Sequence, residues 1–313
     1  MDAAQSARAT RDRVEGLLSG SLIGDALALG AHWVYDQQEL QRDFGRVTDF
    51  LDPRPDSYHP TKKKGQQTHY GDQALTLMAS LTAHGGFQEA AFAQDWRRMW
   101  VGYRDYFDHA TKQTLENLQA GVPATSAGSD SNELGGAARI APLLAMLVLT
   151  DEPVESAVLE ARAQTRLTHR SKLAGDAAEL LTRIVLGLFA GGTLPEMIAQ
   201  AAAGSYDELD MRSILDRVQQ TRSLEVKAAA LSLGLACPVP QALPTLLMLL
   251  DRCDGNFETA IIENVMAGGD NAARGLALGM ILGAVHGKSR IPDRWLQGLA
   301  AAPGADAFLR FLS

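Results

Sequence analysis

The stretch that decides the fold is "GGDNAARGLALGMILGAVHG", residues 268–287, in which glycines recur at 275, 279, 283 and 287 behind Gly268-Gly269-Asp270. A glycine inside a helix costs about 1 kcal/mol relative to alanine, so a run of them needs compensation. Four-residue spacing places them on one helix face, and a face without side chains admits a second backbone at close range. The stretch "EGLLSGSLIGDALALGAHWVYD", residues 15–36, repeats the device at Gly16, Gly20 and Gly24. The two segments are expected to cross as helices and to bring the region from Asp25 to Asp36 beside Asp270. Asp270 itself falls at a helix start, where free amides and partial positive charge favour an anion.

Away from this pair, apolar residues recur every three or four positions along almost the whole chain and alternating β-branched runs are scarce, which predicts an all-α protein. Thr193-Leu-Pro-Glu196 and Ser205-Tyr-Asp-Glu208 have the capping-box pattern, and Pro195 suits a helix start. The period fails from Gln37 to Tyr70, where "DPRPDSYHPTKKKGQQTHY" (52–70) reads as one long loop. Loops of that length either border a site or make a surface excursion. No stretch reads as a linker, so residues 1–313 are expected to form a single domain.

A net charge of -8, with Lys62-Lys63-Lys64 as the one basic run, argues against a nucleic-acid partner; that run reads as a solvated loop. The uninterrupted apolar runs, such as "IAPLLAMLVL" at 140–149, fall short of the ~20 residues a bilayer span needs, so no membrane partner is expected. Two cysteines, Cys237 and Cys253, make no disulfide framework. With no secretory leader pattern at the start, a cytoplasmic location is expected. A Gly-x-Ser-x-Gly elbow, a P-loop and a dinucleotide fingerprint are all missing. The seven histidines, at 32, 59, 69, 84, 109, 169 and 286, include no pair at zinc spacing on one helix.

Four segments in order resemble the ADP-ribosylglycohydrolase family: "GSLIGDALALG", "HYGDQALTLMASL", "GGAARIAPLLA" with "LTHRSKLAGDAAELL", and "FETAIIENVMAGGDNAARGLALGMILGAVHG". The resemblance implies a compact all-α fold with a central cleft. It also implies hydrolysis of the glycosidic bond of ADP-ribose by two magnesium or manganese ions, held by Thr-Asp-Asp and Asp-x-Asp-Thr segments and a glutamate. Read in register, Thr-Asp-Asp-Thr becomes Tyr70-Gly71-Asp72-Gln73, Asp-Thr-Asp-Thr becomes Asp270-Asn271-Ala272-Ala273, and the glutamate falls near His32. Two carboxylates are gone and Arg274 has entered, leaving the site about three charges more positive and with little electrostatic need for two ions. One weakly held magnesium or manganese ion, or none, is expected, in a loose shell of Asp72, Asp270, Gln73, Asn271 and water.

On this reading Asp72 and Asp270 are acid and base or residual metal ligands, or else helix caps, and His32 and His69 carry protons near neutral pH. Tyr35, Asp36, His69, Tyr70, Gln73, Asn271 and Arg274 line the substrate; Arg274 otherwise pairs with Asp270 at i, i+4. Trp33 and Tyr35 stack on an adenine or pack in the core. Asp25 is read as structural and His169 as a buried helix-start residue, while Asp130 and Glu133 lie in a loop that borders the cleft. The expected protein is a glycosidic-bond hydrolase with a degenerate dinuclear site, acting on a small-molecule or ADP-ribosylated substrate. The alternatives are a non-catalytic, crystallin-like or nucleotide-binding member, and a metal-independent hydrolase of another small substrate.

Overall fold

The computed structural model describes residues 3–253 and 256–312. The chain is all-α; among the described residues no strand forms, and two isolated bridges, Ser129 with His169 and Glu133 with Pro238, are its only β-type pairings. The helices Ala3–Ala28 and Asn271–His286 cross antiparallel at its centre, with Gly16 against Gly283, Gly20 against Gly279 and Gly24 against Gly275. A β-carbon added at any of these six positions would run into the partner's backbone carbonyl. The two helices therefore meet backbone to backbone, as the spacing of the glycines predicts. Gly287 departs from the expected stripe: the helix ends at His286, and Gly287 takes the left-handed cap at φ 78°.

One continuous apolar core, from Val14 to Leu309, surrounds this crossing. The helical stretch Gln5–Ala31 is long and apolar enough to span a bilayer by length and composition, although charged residues interrupt it. Its most apolar 18 residues are 94% buried inside the protein, the condition of a core helix.

Local signals hold in part. Thr193 and Glu196 form the capping box of helix Leu194–Ala202. Ser205 and Glu208 do not; the next helix, Met211–Gln220, is capped by Asp210, and the Glu208 amide donates to Asp176 at 2.8 Å. The segment expected as one loop from Gln37 to Tyr70 contains helix Gln37–Phe44, and helix His69–His84 starts before it ends. Short and polar, with Leu40 as its one fully buried residue, Gln37–Phe44 offers little apolar period to detect.

Candidate functional site

The crossing helices deliver a site at one end. After Ala28 the first helix runs into the 3-10 turn Leu29–Ala31 and then His32. Two bonds join this exit to the entry of the last glycine-striped helix: the Trp33 amide donates to the Gly269 carbonyl at 3.0 Å, and the Gly269 amide to the Val34 carbonyl at 2.8 Å. Asp25, buried one turn upstream, accepts the Thr68 amide at 2.7 Å and the Thr68 hydroxyl at 2.6 Å. Thr68 caps helix His69–His84, so Asp25 fixes where His69 and Tyr70 begin. Asp25 is structural, as expected. Burial pushes its carboxyl up to about 7 despite the two Thr68 bonds.

Three buried imidazoles converge here: His32 behind the first helix, His69 at the start of the helix His69–His84, and His59 from the aperiodic segment between them. One nitrogen from each lies within 4.8 Å of the other two. His32 is oriented by Asn271, whose Oδ1 meets its Nδ1 at 3.2 Å, while the Asn271 amide donates to the carbonyls of Ala31 and Val265 at 3.2 and 3.4 Å. Those donations settle the amide's direction, so the His32 Nδ1 carries the proton and Nε2 is free. The His69 Nε2 approaches Asp108 Oδ2 at 3.3 Å. Asp108 caps the helix His109–Gln119 through Thr111 at 2.6 Å, which holds its carboxylate in place. Burial alone would raise that carboxyl, but the neighbouring His69 and His169 imidazoles and the Thr111 amide outweigh it and hold it low. Both ring nitrogens of His59 and the Nε2 of His32 are buried without a hydrogen-bond partner. Burial, with the neighbouring imidazoles, pushes His32 and His59 well below the usual histidine range.

Asp270 stands beside this group. It caps its helix through a long 3.5 Å contact with the Ala273 amide, receives the Tyr70 hydroxyl at 3.4 Å, and lies 4.0 Å from the His32 Nε2. Burial raises its carboxyl, opposed by Arg274 and Cys237. Burial and the nearby carboxylates of Asp108 and Asp270 push Glu133 up to about 7, and its Oε2 is buried without a partner. Glu133 is held there because its loop is laced to the segment entering the helix Val239–Arg252: the Leu134 amide donates to Cys237 O and the Val239 amide to Asn132 O, each at 2.9 Å.

A roof of rings covers the histidines. Trp33 stacks on His32 with centroids 4.3 Å apart, and Trp33, Tyr58 and Tyr106 make a mutual edge-to-face trio at 4.7 to 5.1 Å. Tyr58 is half exposed and forms the outer layer. A surface groove of about 650 Å³ lies among Leu194, Ile198, Val218, Leu247 and His286, and shares no residue with the histidine group.

Several expected site residues are placed elsewhere. Asp72 pairs with Lys62 and accepts the Tyr103 hydroxyl at 2.6 Å. Since Tyr70 reaches Asp270, a residue two positions on projects about 200° around the helix, so Asp72 and Asp270 do not form a pair. The residues that face Asp270 from this helix are His69 and Tyr70, and the register assumed for the segment was set too far along. Gln73 is locked among Trp96, Arg139 and the His69 carbonyl. Arg274 does not pair directly with Asp270: fully buried, it donates to Asn264 Oδ1 at 3.2 Å and to the carbonyls of Leu235 and Gly268 at 3.1 and 2.6 Å. Asp36 caps the helix Gln37–Phe44 at an exposed position, through Gln38 and Glu39. Tyr35, 46% exposed, lies near Cys237 and Asp270. Lys62 is half buried over Tyr103 and not solvated, unlike Lys63 and Lys64. His169 is buried and bonded to Thr168 at 2.8 Å, in line with the structural reading.

These placements decide the fit of the ions that the resemblance implies. A magnesium or manganese ion takes about six oxygen ligands. Here three buried imidazoles occupy the centre of the group, Asp72 is drawn away to Lys62 and Tyr103, and the loose oxygen shell of Asp72, Asp270, Gln73 and Asn271 is not assembled. The residues present do not fit a pair of hard cations.

Sequence reading missed His59, Asp108, Tyr58 and Tyr106, and gave no specific role to Glu133. The signal available was that His32, His59 and His69 bracket the aperiodic stretch; a search for paired histidines on one helix passes over ligands drawn from three segments.

Comparison with known proteins places this geometry. The ADP-ribosylglycohydrolase family profile matches residues 6–311. An uncharacterised protein of Archaeoglobus fulgidus is 27% identical over 92% of each chain. Crystallin J1A of Tripedalia cystophora is 22% identical over 91% of each, and the ADP-ribosyl-[dinitrogen reductase] glycohydrolase of Rhodospirillum rubrum is 25% identical over 92% of this chain and 90% of its own. A solved structure described as an ADP-ribosylglycohydrolase-related protein complex superposes with a TM-score of 0.77, at 24% identity, over 97% of this chain and 98% of that one; it shares the all-α fold. The chain belongs to the ADP-ribosylglycohydrolase family.

Proposed function

We propose that this chain hydrolyses an N- or O-glycosidic bond to a ribosyl group, of the ADP-ribosyl kind named in the Rhodospirillum relative, at the group formed by Glu133, Asp270 and Tyr70. The observation that carries the reading is the Glu133 carboxyl: on a half-buried residue, with Oε2 buried and unpartnered, and raised to about 7 by burial and the nearby carboxylates of Asp108 and Asp270. A carboxyl poised there is half protonated at neutral pH, the condition of a general acid. Asp270, whose carboxyl is raised by burial against the opposing charge of nearby Arg274, takes the complementary role of base. Water attacks the anomeric carbon and gives its proton to Asp270, the glycosidic bond breaks, and the leaving atom takes the Glu133 proton. Substrate enters by displacing the half-exposed Tyr58 from the ring roof.

The test is release of free ADP-ribose from ADP-ribosylated arginine and serine peptides. The rate is expected to fall as pH rises through about 7, where the Glu133 proton is lost. Glu133→Gln should lower kcat by roughly 100-fold or more, the usual worth of a positioned acid. The closed ring roof favours a second reading, a non-catalytic member that binds a nucleotide-like ligand. Binding of ADP-ribose with no release from either peptide at any pH would establish that reading and end the first.

A further inference from the structure

We propose that His32, His59 and His69 bind one divalent first-row transition-metal ion of the nitrogen-preferring class, with zinc and cobalt as working probes. Imidazole suits zinc, iron, cobalt, nickel and copper, whereas magnesium and manganese prefer oxygen. The donor set therefore selects against the ions that the resemblance implies. The inference stands on the geometry of these three residues and holds or fails independently of the hydrolase reading.

Four observations converge. First, each ligand nitrogen lies within 4.8 Å of the others; in a tetrahedral site with metal–nitrogen bonds of about 2.1 Å, nitrogens stand ~3.4 Å apart, so modest ring rotations close the distance. Ring centroids stand 5.5, 6.1 and 5.4 Å apart, with the His59 ring stacked near-parallel to both His32 and His69, at 27° and 24°. Second, five ring nitrogens are buried without a hydrogen-bond partner: His32 Nε2 and both nitrogens of His59 and of His69. Buried polar atoms without partners are rare and call for an explanation, and five in one cluster call for a common one.

Third, two of the three rings already have the outer support that metal-bound histidines require. Asn271 Oδ1 takes the His32 Nδ1 proton, leaving Nε2 as donor, and Asp108 Oδ2 faces the His69 Nε2, leaving Nδ1. Fourth, His32, His59 and His69 are all buried, and the neutral ring is the form that ligates. Three protein ligands make an open site of the kind seen in catalytic centres, where structural ones carry four.

The purified full-length chain, stripped with chelator and titrated with Co2+, should take up one equivalent with a visible ligand-field spectrum, and Zn2+ should displace it one for one. Excess Mg2+ should not. Histidine NH signals shifted by the bound Co2+ should appear in proton NMR. His59→Phe keeps the ring stack and removes both nitrogens, so it should fold, by circular dichroism, and lose ~100-fold or more in Co2+ affinity. Asp108→Asn should lose roughly 10-fold, and Asp72→Asn nothing. No Co2+ or Zn2+ uptake by the folded wild type, uptake without shifted histidine signals, or unchanged affinity in folded His59→Phe would each overturn the proposal. Displacement of Co2+ by Mg2+ would do the same, since it would point to an oxygen site.

Discussion

The glycine crossing runs along a pair of helices, the histidine group lies at one end of that pair, and the two are built on opposite principles. At the crossing, side chains are absent, and Gly24 and Gly275 meet backbone to backbone. At the site, everything depends on where side chains point: His69 and Tyr70 face inward, and Asp72, two residues later, faces Lys62 and Tyr103. A contact made by lacking a side chain leaves its mark directly in residue type and spacing. A contact made by aiming one depends on helix phase, and an error of one or two residues reverses it.

The contrast breaks most sharply at the crossing. Gly279→Ala gains helix propensity of about 1 kcal/mol, but its β-carbon would overlap the Gly20 carbonyl, and backbone cannot rotate away as a side chain can. A net loss above roughly 3 kcal/mol is expected, read as a large fall in the urea midpoint or loss of soluble protein. A mild effect would mean the two helices can part, and the close approach would not be what fixes the site.

Asp25 links the two regions, and its removal comes next in size. Asp25→Ala leaves the Thr68 amide and hydroxyl buried without their acceptor, a loss of about 2 to 4 kcal/mol. Its pH dependence has an unusual sign. The folded carboxyl titrates at about 7 and the free one at 3.8, so between these values the folded chain holds the proton more tightly and loses stability as pH rises. Above about 7 the penalty is constant. Asp25→Asn removes this titration, so the stability of wild type relative to Asp25→Asn should fall on going from pH 4 to pH 7, by no more than roughly 1.4 kcal/mol per unit. A flat difference across that window would show that Asp25 is ionised in the fold throughout.

This difference also explains what could be read from the chain. The all-α class, the antiparallel crossing and the approach of His32 to Asp270 follow from apolar period and glycine spacing. So does the structural role of Asp25, since a charge inside such a stripe must find partners. The Asp72 assignment failed because one carboxylate was matched to a motif without asking which helix face it occupies. Arg274 failed for a related reason: four-residue spacing predicts a pair with Asp270, but the Asn264 side-chain oxygen and the backbone carbonyls of Leu235 and Gly268, just past two helix ends, take its donors. His59 was illegible because a loop has no period, and its position follows only once the segment 45–68 folds over the helix ends.

A smaller effect probes the roof. Tyr58→Ala removes the edge-to-face contacts with Trp33 and Tyr106, a cost of about 1 kcal/mol since Tyr58 is already half exposed. Trp33 should become open to quenching by acrylamide, while Trp96, Trp100 and Trp295 stay buried and protected. Unaltered quenching would show that other rings seal the histidines.

The smallest change is the control for the largest. Gly304 also lies in a helix, Ala302–Phe311, but an added β-carbon there meets only Met78 Cε at 3.5 Å, an ordinary contact with a flexible side-chain end. With no backbone in the way, only the propensity term remains, and Gly304→Ala should stabilise by about 0.5 to 1 kcal/mol. The same chemical substitution thus carries opposite signs at 279 and 304, and the sign depends on whether a carbonyl or a methyl group stands opposite. If denaturation midpoints moved the same way for both variants, glycine spacing would carry no information about helix approach in this chain, and the reasoning from residues 268–287 to the fold would lose its physical ground.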